Sequence, residues 1–307
     1  MSKQHKTSIG GQALIEGIMM KGPEKSAMAV RLPNKSIDVE VWENKTVTAW
    51  YRKTPFVRGI FNFVATLMDG YKCLMKSAEK SGYDEENPDK LDLWVQEHFG
   101  EKAGTVIMLI ASVLGAALAL LMFLVIPTFV VNWLNQLIGL GGFATLVEGI
   151  IKVAILVGYM FAVSKTPDIH RMFQYHGAEH KCIYCYEAGL PLTVENVREQ
   201  GRLHPRCGTS FLLIVVIISV LVNSFISWSN PWLRVVFKLL LMPVVVGISY
   251  EIIKLAGRYT NTCTRIISAP GMWLQKITTQ EPDDEMIEIA LAALNPVLPE
   301  VEGSDNW

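Results

Sequence analysis

Residues 103–126 read AGTVIMLIASVLGAALALLMFLVI, 24 residues without a charge. About 20 apolar residues suffice for a helix to cross a hydrocarbon layer ~30 Å thick. This stretch therefore separates the chain from ordinary soluble enzymes. Three further segments follow it. Phe143–Val163 carries Glu148 and Lys152; Ser210–Trp228 is rich in Ile and Val and is interrupted only by Asn223 and serines; Trp232–Tyr250 carries Arg234 and Lys238. The sequence thus predicts an α-helical integral membrane protein with about four transmembrane helices, at 103–126, 143–163, 210–228 and 232–250. Composition agrees, with half of the 307 residues hydrophobic and a net charge of −1. Near-neutrality means that the whole molecule carries no strong nucleic-acid signature, so no nucleic-acid partner is expected.

Short loops carry the orientation, because cytoplasmic loops are enriched in Lys and Arg. The connections 127–142 and 229–231 have none, whereas 164–209 has Lys165, Arg171, Lys181, Arg198, Arg202 and Arg206. Lys254, Arg258, Arg265 and Lys276 follow the last span. Both termini and the 164–209 loop are therefore expected in the cytoplasm, a reducing compartment where the five cysteines serve as thiols or ligands. The polar start Met1–Thr7 has no apolar core behind it, so insertion is expected to fall to the internal segments.

Three regions follow: a cytoplasmic N-terminal region 1–102, a membrane domain 103–250 interrupted by the 164–209 loop, and a cytoplasmic segment 251–307. In the first, Ala27–Leu32 and Ser36–Trp42 read as a small β-hairpin around Pro33-Asn34-Lys35, with Ile37, Val39 and Val41 alternating against Asp38, Glu40 and Trp42. Val57, Ile60, Phe61, Val64, Leu67, Met68, Tyr71, Leu74 and Met75 form the stripe of an amphipathic helix. That stripe either packs along the spanning helices, the simpler reading, or lies in the membrane interface. Residues 81–102 read as a polar linker. Asp168–Ala188 is expected to continue helically out of the second span and to end at Gly189 and Pro191; Thr193 is placed to cap a short helix. The last thirty residues hold eight acids and no Lys or Arg, the character of a solvated, partner-facing tail, although Met286–Leu294 has helical apolar spacing.

Chemistry concentrates in the long loop, which holds His176-Gly177-Ala178-Glu179-His180 and His204-Pro205-Arg206-Cys207. On a helix, His176 and His180 share one face, so both imidazoles can reach one metal ion. His-x-x-Glu-His is the inverse of the His-Glu-x-x-His order, a pattern in which the histidines hold zinc, the glutamate activates water, and a distant glutamate completes the ligands. Glu251, with 70 residues intervening after His180, is the candidate for that third ligand. The alternative set is His176, His180, His204 and Cys207, whose four members would make a closed structural zinc site. The plainer alternative is that these histidines cap helix ends and bond loop carbonyls. Cys182 and Cys185 read better as small buried hydrophobes than as a site. Glu148, Lys152, Arg234 and Lys238 read as ion pairs plus snorkelling side chains, with an ion or proton path as the sharper option.

Gly10–Pro23, Tyr175–Lys181 (YHGAEHK), Leu203–Phe211 (LHPRCGTSF) and Ala269–Glu281 (APGMWLQKITTQE) together resemble one bacterial family, the YqhQ-like family or domain of unknown function 1385. The resemblance implies a multi-pass protein of the bacterial inner membrane with its His/Cys loop in the cytoplasm. It implies the label of metal-dependent enzyme but no established reaction. It carries over His176, Glu179, His180, His204 and Cys207, with Glu16 as a further candidate.

The function this reading expects is zinc-dependent hydrolysis at the cytoplasmic membrane face. Glu179 would be the general base, and His176, His180 and either His204 or Glu251 would hold the metal. The substrate would be a lipid headgroup or a peptide near the membrane. The competing expectation is a membrane scaffold or membrane-protein biogenesis factor, with a structural His/Cys site and other membrane proteins as partners beside the lipid bilayer.

Overall fold

A computed structural model of the chain describes residues 5–44, 50–82, 98, 103–226, 230–259, 261–301 and 303–306. The expected linker 81–102 lies mostly outside them, as does the end of the expected third span at Trp228. The chain divides into two compact units, one of Met1–Tyr83, Tyr159–Val215 and Val246–Trp307, the other of Asp84–Gly158 and Val216–Val245.

The first unit is built on an antiparallel meander of β1 (Gly10–Leu14), β2 (Gly17–Lys21), β3 (Lys25–Arg31) and β4 (Ile37–Glu43), in that spatial order. The expected hairpin is β3–β4; β1 and β2 extend it to four strands. Leu14 pairs with Gly17, so only Ile15 and Glu16 turn the first hairpin, and Glu16 takes a positive φ of 49° to do so. Successive side chains of a strand point to opposite faces. Accordingly Ile18, Met20, Ala27 and Ala29 enter one core, while Leu14, Met19, Met28 and Val30 enter a second with Cys73.

Cys73 belongs to α1 (Val57–Ser81), a helix that Gly82 ends in the left-handed conformation. The opposite core is completed by α5 (Pro167–Glu187), α6 (Val194–Arg198) and α10 (Asp284–Leu294), through Tyr175, Ala178, Cys182, Cys185, Val197, Met286, Ile287, Ile289 and Leu294. Burying a side chain of Ile, Leu or Met size contributes roughly 1.5–3 kcal/mol. The acidic C-terminal segment is therefore a core element and not a solvated tail. Its acids sit on the outer side of α10, where Asp284 meets Arg198 and Glu288 meets Arg31. Asp283 caps the helix by accepting from the Met286 N–H at 2.8 Å.

The 164–209 segment departs from expectation at its start. α4 (Ala144–Val163) does not run on into α5, because Thr166, preceding Pro167, is extended at ψ 137°. A residue before proline is sterically barred from the helical region. Downstream the expectations hold: Gly189 takes φ +67°, and the Thr193 hydroxyl accepts from the Asn196 N–H at the start of α6.

Among the described residues, three helical stretches are long and apolar enough to cross a membrane: Leu109–Ile138, Gly141–Val163 and Pro231–Arg258. The first outruns its expected end. α2 (Ala103–Leu120) passes through a π turn at Leu121–Val125 into α3 (Ile126–Ile138). Pro127 lies just after the π turn, at the start of α3. The expected third span becomes α7 (Gly208–Asn223), shorter at 16 residues. The expected fourth is α8 (Pro231–Arg258), 28 residues long. α9 (Thr262–Thr278) follows it, opened by an Asn261–Thr264 capping box.

Within the second unit, Glu148 gathers the charges that the sequence scattered. Lys152 lies 2.8 Å from its Oε1, Lys238 bonds the same oxygen, and an Arg234 nitrogen lies 3.7 Å from Oε2. Lys238 also donates to the Thr128 hydroxyl, and Arg234 to Thr145 and the Asn223 carbonyl. Arg234 and Lys238 are buried against these partners, which replaces the snorkelling reading with a packed charge cluster.

Candidate metal centre

α5 carries His176 and His180 one turn apart, with ring centroids at 4.5 Å. Cys207 arrives from the residue immediately before α7, and its Sγ lies 3.1 Å from His176 Nε2. One ligand atom from each of the three lies within 4.8 Å of the others. Ligands on one tetrahedral zinc are separated by roughly 3.5 Å, so the cluster is close to that spacing.

The second nitrogens explain the orientation. His176 Nδ1 is 2.8 Å from the Thr278 carbonyl, and His180 Nδ1 is 2.5 Å from the Arg202 carbonyl. A carbonyl only accepts, so both Nδ1 atoms must carry the proton and both Nε2 lone pairs remain for a ligand. Metal-binding histidines are held in this way. Two imidazoles and a thiolate form a donor set that suits zinc.

Electrostatics favour the thiolate. Burial opposes ionisation of Cys207, but His176 and His180 outweigh it and hold the thiol well below its ordinary pKa. The Thr209 N–H and hydroxyl, at the start of α7, also point to Sγ at 3.5 and 3.4 Å. A helix N-terminus stabilises negative charge. Burial likewise works against a charged His176, yet the Cys207 sulfur raises it to about 9.

Glu179 lies between the two histidines in sequence and is buried; burial raises its carboxyl above the ordinary range. Its Oε1 accepts from the Gly11 N–H at 2.9 Å. A Cβ at Gly11 would come within 2.8 Å of the Met19 carbonyl and 2.9 Å of Glu179 Cγ, so only glycine lets β1 approach this closely. Gly177 has the same role on α5, where a Cβ would meet the Gln280 carbonyl at 2.0 Å. A cavity of about 280 Å³ opens beside Gly11, Glu179, His180, Arg206 and Cys207.

The remaining candidates fall outside the three-member cluster, although the His204 ring lies beside that of His180 at 5.6 Å. His204 is buried with its Nε2 3.2 Å from Arg206 and 3.6 Å from Glu187 Oε2, not in the triad. Burial lowers its pKa, and although burial also opposes the Glu187 charge, His204 and Arg206 hold that carboxyl below its usual range. Glu251 is bound by Arg58 through Nε at 2.7 Å and Nη2 at 2.5 Å, which occupies both carboxylate oxygens. Glu16 bonds Arg171 and the Tyr175 hydroxyl. Cys182 and Cys185 are fully buried in the apolar core, and burial pushes both thiols up. Among the described residues, the three-member set is therefore His176, His180 and Cys207.

Sequence reasoning missed the supports. Gln275 is buried, accepts from the His204 N–H and donates to the His204 carbonyl, both at 2.8 Å, fixing the loop that delivers Cys207. Its only signal was its place in the APGMWLQKITTQE block. The carbonyls of Thr278 and Arg202 have no side-chain signature at all.

The family described as "Protein of unknown function (DUF1385)" matches residues 54–300. The chain is 37% identical over 306 residues to the uncharacterized protein YqhQ of Bacillus subtilis (strain 168), across 97% of this chain and 95% of that one. No solved structure matches. The chain belongs to the DUF1385 family.

Proposed function

We propose that this DUF1385 protein is a multi-pass bacterial inner-membrane protein and a zinc-dependent hydrolase, with both termini and its metal centre on the cytoplasmic side. One observation carries the metal centre: the two Nδ1–carbonyl bonds that turn both histidine Nε2 atoms toward Cys207. Three protein ligands is the count found at catalytic zinc sites, whereas closed structural sites have four. A divalent ion held there supplies Lewis acidity and activates water near neutral pH. Glu179 is the proton acceptor, with Oε1 oriented by the Gly11 N–H and the carboxyl on the wall of the cavity. The Lys and Arg of the 164–209 loop support the orientation.

The test is hydrolysis of ester, amide and phosphoester reporters by the purified full chain, with wild type beside Glu179→Gln. Turnover that requires Glu179 while both proteins keep equal metal supports the reading. Turnover unchanged by Glu179→Gln contradicts it.

A scaffold with a structural metal is the second reading. The bonds that orient the histidines also tie α5 to the 202–207 loop and to the end of α9. An ion there would cross-link those elements and present a docking layer to other membrane proteins. In that case chelation melts the first unit, and no reporter turns over.

A further inference from the structure

α1 has three sides. At about 100° per residue, Gly59, Gly70, Cys73 and Ser77 face inward and are buried. Arg58, Asn62, Lys72 and Lys76 form a polar side. Phe61, Val64, Leu67 and Met68 form a third side, apolar and exposed, with Leu67 56% exposed. Within the described residues, Phe61 meets the Tyr51 ring at 4.4 Å, while Val64, Leu67 and Met68 are exposed.

A second helix of the same unit repeats the pattern. On α9, Ser268, Gly271, Leu274 and Gln275 are buried, while Ile266 and Trp273, seven residues apart on one face, are 67% and 68% exposed. Arg265 and Lys276, both exposed, lie together along one edge of that face.

Both helices are pinned where apolar helices begin or end. Phe63 of α1 stacks at 5.5 Å on Phe211, in the first turn of α7. A Cβ at Gly271 of α9 would overlap Ser210, in the same turn. The start of α1 also packs on the C-terminal part of α8: Asn62 donates to the Tyr250 hydroxyl at 2.9 Å, Arg58 pairs with Glu251, and Gly59 abuts Tyr250.

From these contacts we propose that the outer faces of α1 and α9 form a collar seated in the headgroup–acyl boundary of the bilayer, with phospholipid as the occupant. This rests on the reading of α7 and α8 as membrane helices. Where an apolar helix enters or leaves the hydrocarbon layer, the adjoining surface faces the interface, and both helices are fixed at such points. Their composition fits: an apolar stripe beside a polar side that carries Lys72, and an exposed tryptophan with an arginine and a lysine along one edge of its face, suit lipid headgroups. Thr66 of α1 lines the cavity beside Glu179 and Cys207, so a seated α1 brings that cavity to the membrane surface.

The experiment places the photo-crosslinker benzoylphenylalanine at Leu67, Ile266 or Lys72 of the full chain, with Leu114 of α2 as reference. Native membranes are irradiated and the adducts read by mass. The expected result is a phospholipid adduct at Leu67, Ile266 and Leu114, lost at Lys72. Protein adducts at Leu67 and Ile266, whether to a second copy or another protein, or no adduct there while Leu114 captures lipid, would overturn the collar and leave the membrane reading standing. Failure of Leu114 to capture lipid would overturn both.

Discussion

The imidazole Nε2 of His176 lies 3.1 Å from the sulfur of Cys207, although 31 positions separate them in sequence. Two independent devices create that contact. The Thr278 carbonyl holds the far side of the imidazole, and the Gln275 side chain holds the backbone of His204, three residues before the cysteine. Each is open to test.

Gln275→Leu takes away the acceptor of the His204 N–H and one of two donors to the His204 carbonyl, which keeps the Cys207 N–H at 3.3 Å. A buried donor left unsatisfied costs ~1–3 kcal/mol. The first unit should unfold at a lower temperature in detergent, and metal affinity should fall because Cys207 is no longer held. A variant with unchanged melting and metal content would contradict the role given to Gln275.

Gly11→Ala forces a methyl group between the Met19 carbonyl and Glu179. Overpacking of this kind costs ~1–3 kcal/mol. Hydrolysis should drop through displacement of Glu179, with metal content retained. Equal loss of both would show that Gly11 supports the ligands and not the carboxylate.

Glu251→Gln discriminates between the two ligand sets read from the sequence. Glu251 is committed to Arg58, so metal content should stay at the wild-type level while the anchoring of α1 weakens, read as faster proteolysis near residue 56. Loss of metal in this variant would restore Glu251 as a ligand.

Asp305 links the chain ends by accepting from the Thr7 hydroxyl at 2.5 Å and the Tyr186 hydroxyl at 3.1 Å, with His5 at 3.0 Å. Burial works against its charge, but these partners hold its pKa below the ordinary 3.8. A carboxyl depressed on folding contributes stability that is fully present above its unfolded pKa, about 3.9, and lost as pH falls through the folded value. Asp305→Asn should therefore lower the melting temperature at neutral pH, with a deficit that shrinks below pH about 4. A deficit constant with pH would show that the charge contributes nothing.

The parts legible in the sequence were those written in local periodicity. The apolar runs, the α1 stripe, the β3–β4 hairpin and the one-turn spacing of His176 and His180 all have that character. β2 was missed because it is buried on both faces, so Gly17–Met20 shows no alternation. α10 was read as a tail because its acids outweighed Met286, Ile287, Ile289 and Leu294, which fill the core. The choice among Cys207, His204 and Glu251 depended on contacts across the fold, and the acceptors that orient the histidines are backbone carbonyls, which no residue type announces.

The most direct test of the metal centre is the zinc content per chain of purified full-length protein, with His176→Ala, Cys207→Ala, His204→Ala and Glu179→Gln beside wild type. The three-ligand centre predicts near-stoichiometric zinc in wild type, loss in His176→Ala and Cys207→Ala, and retention in Glu179→Gln and His204→Ala. Wild-type protein without zinc, purified without chelator, would contradict the centre, and loss of zinc in His204→Ala would contradict its three-ligand composition.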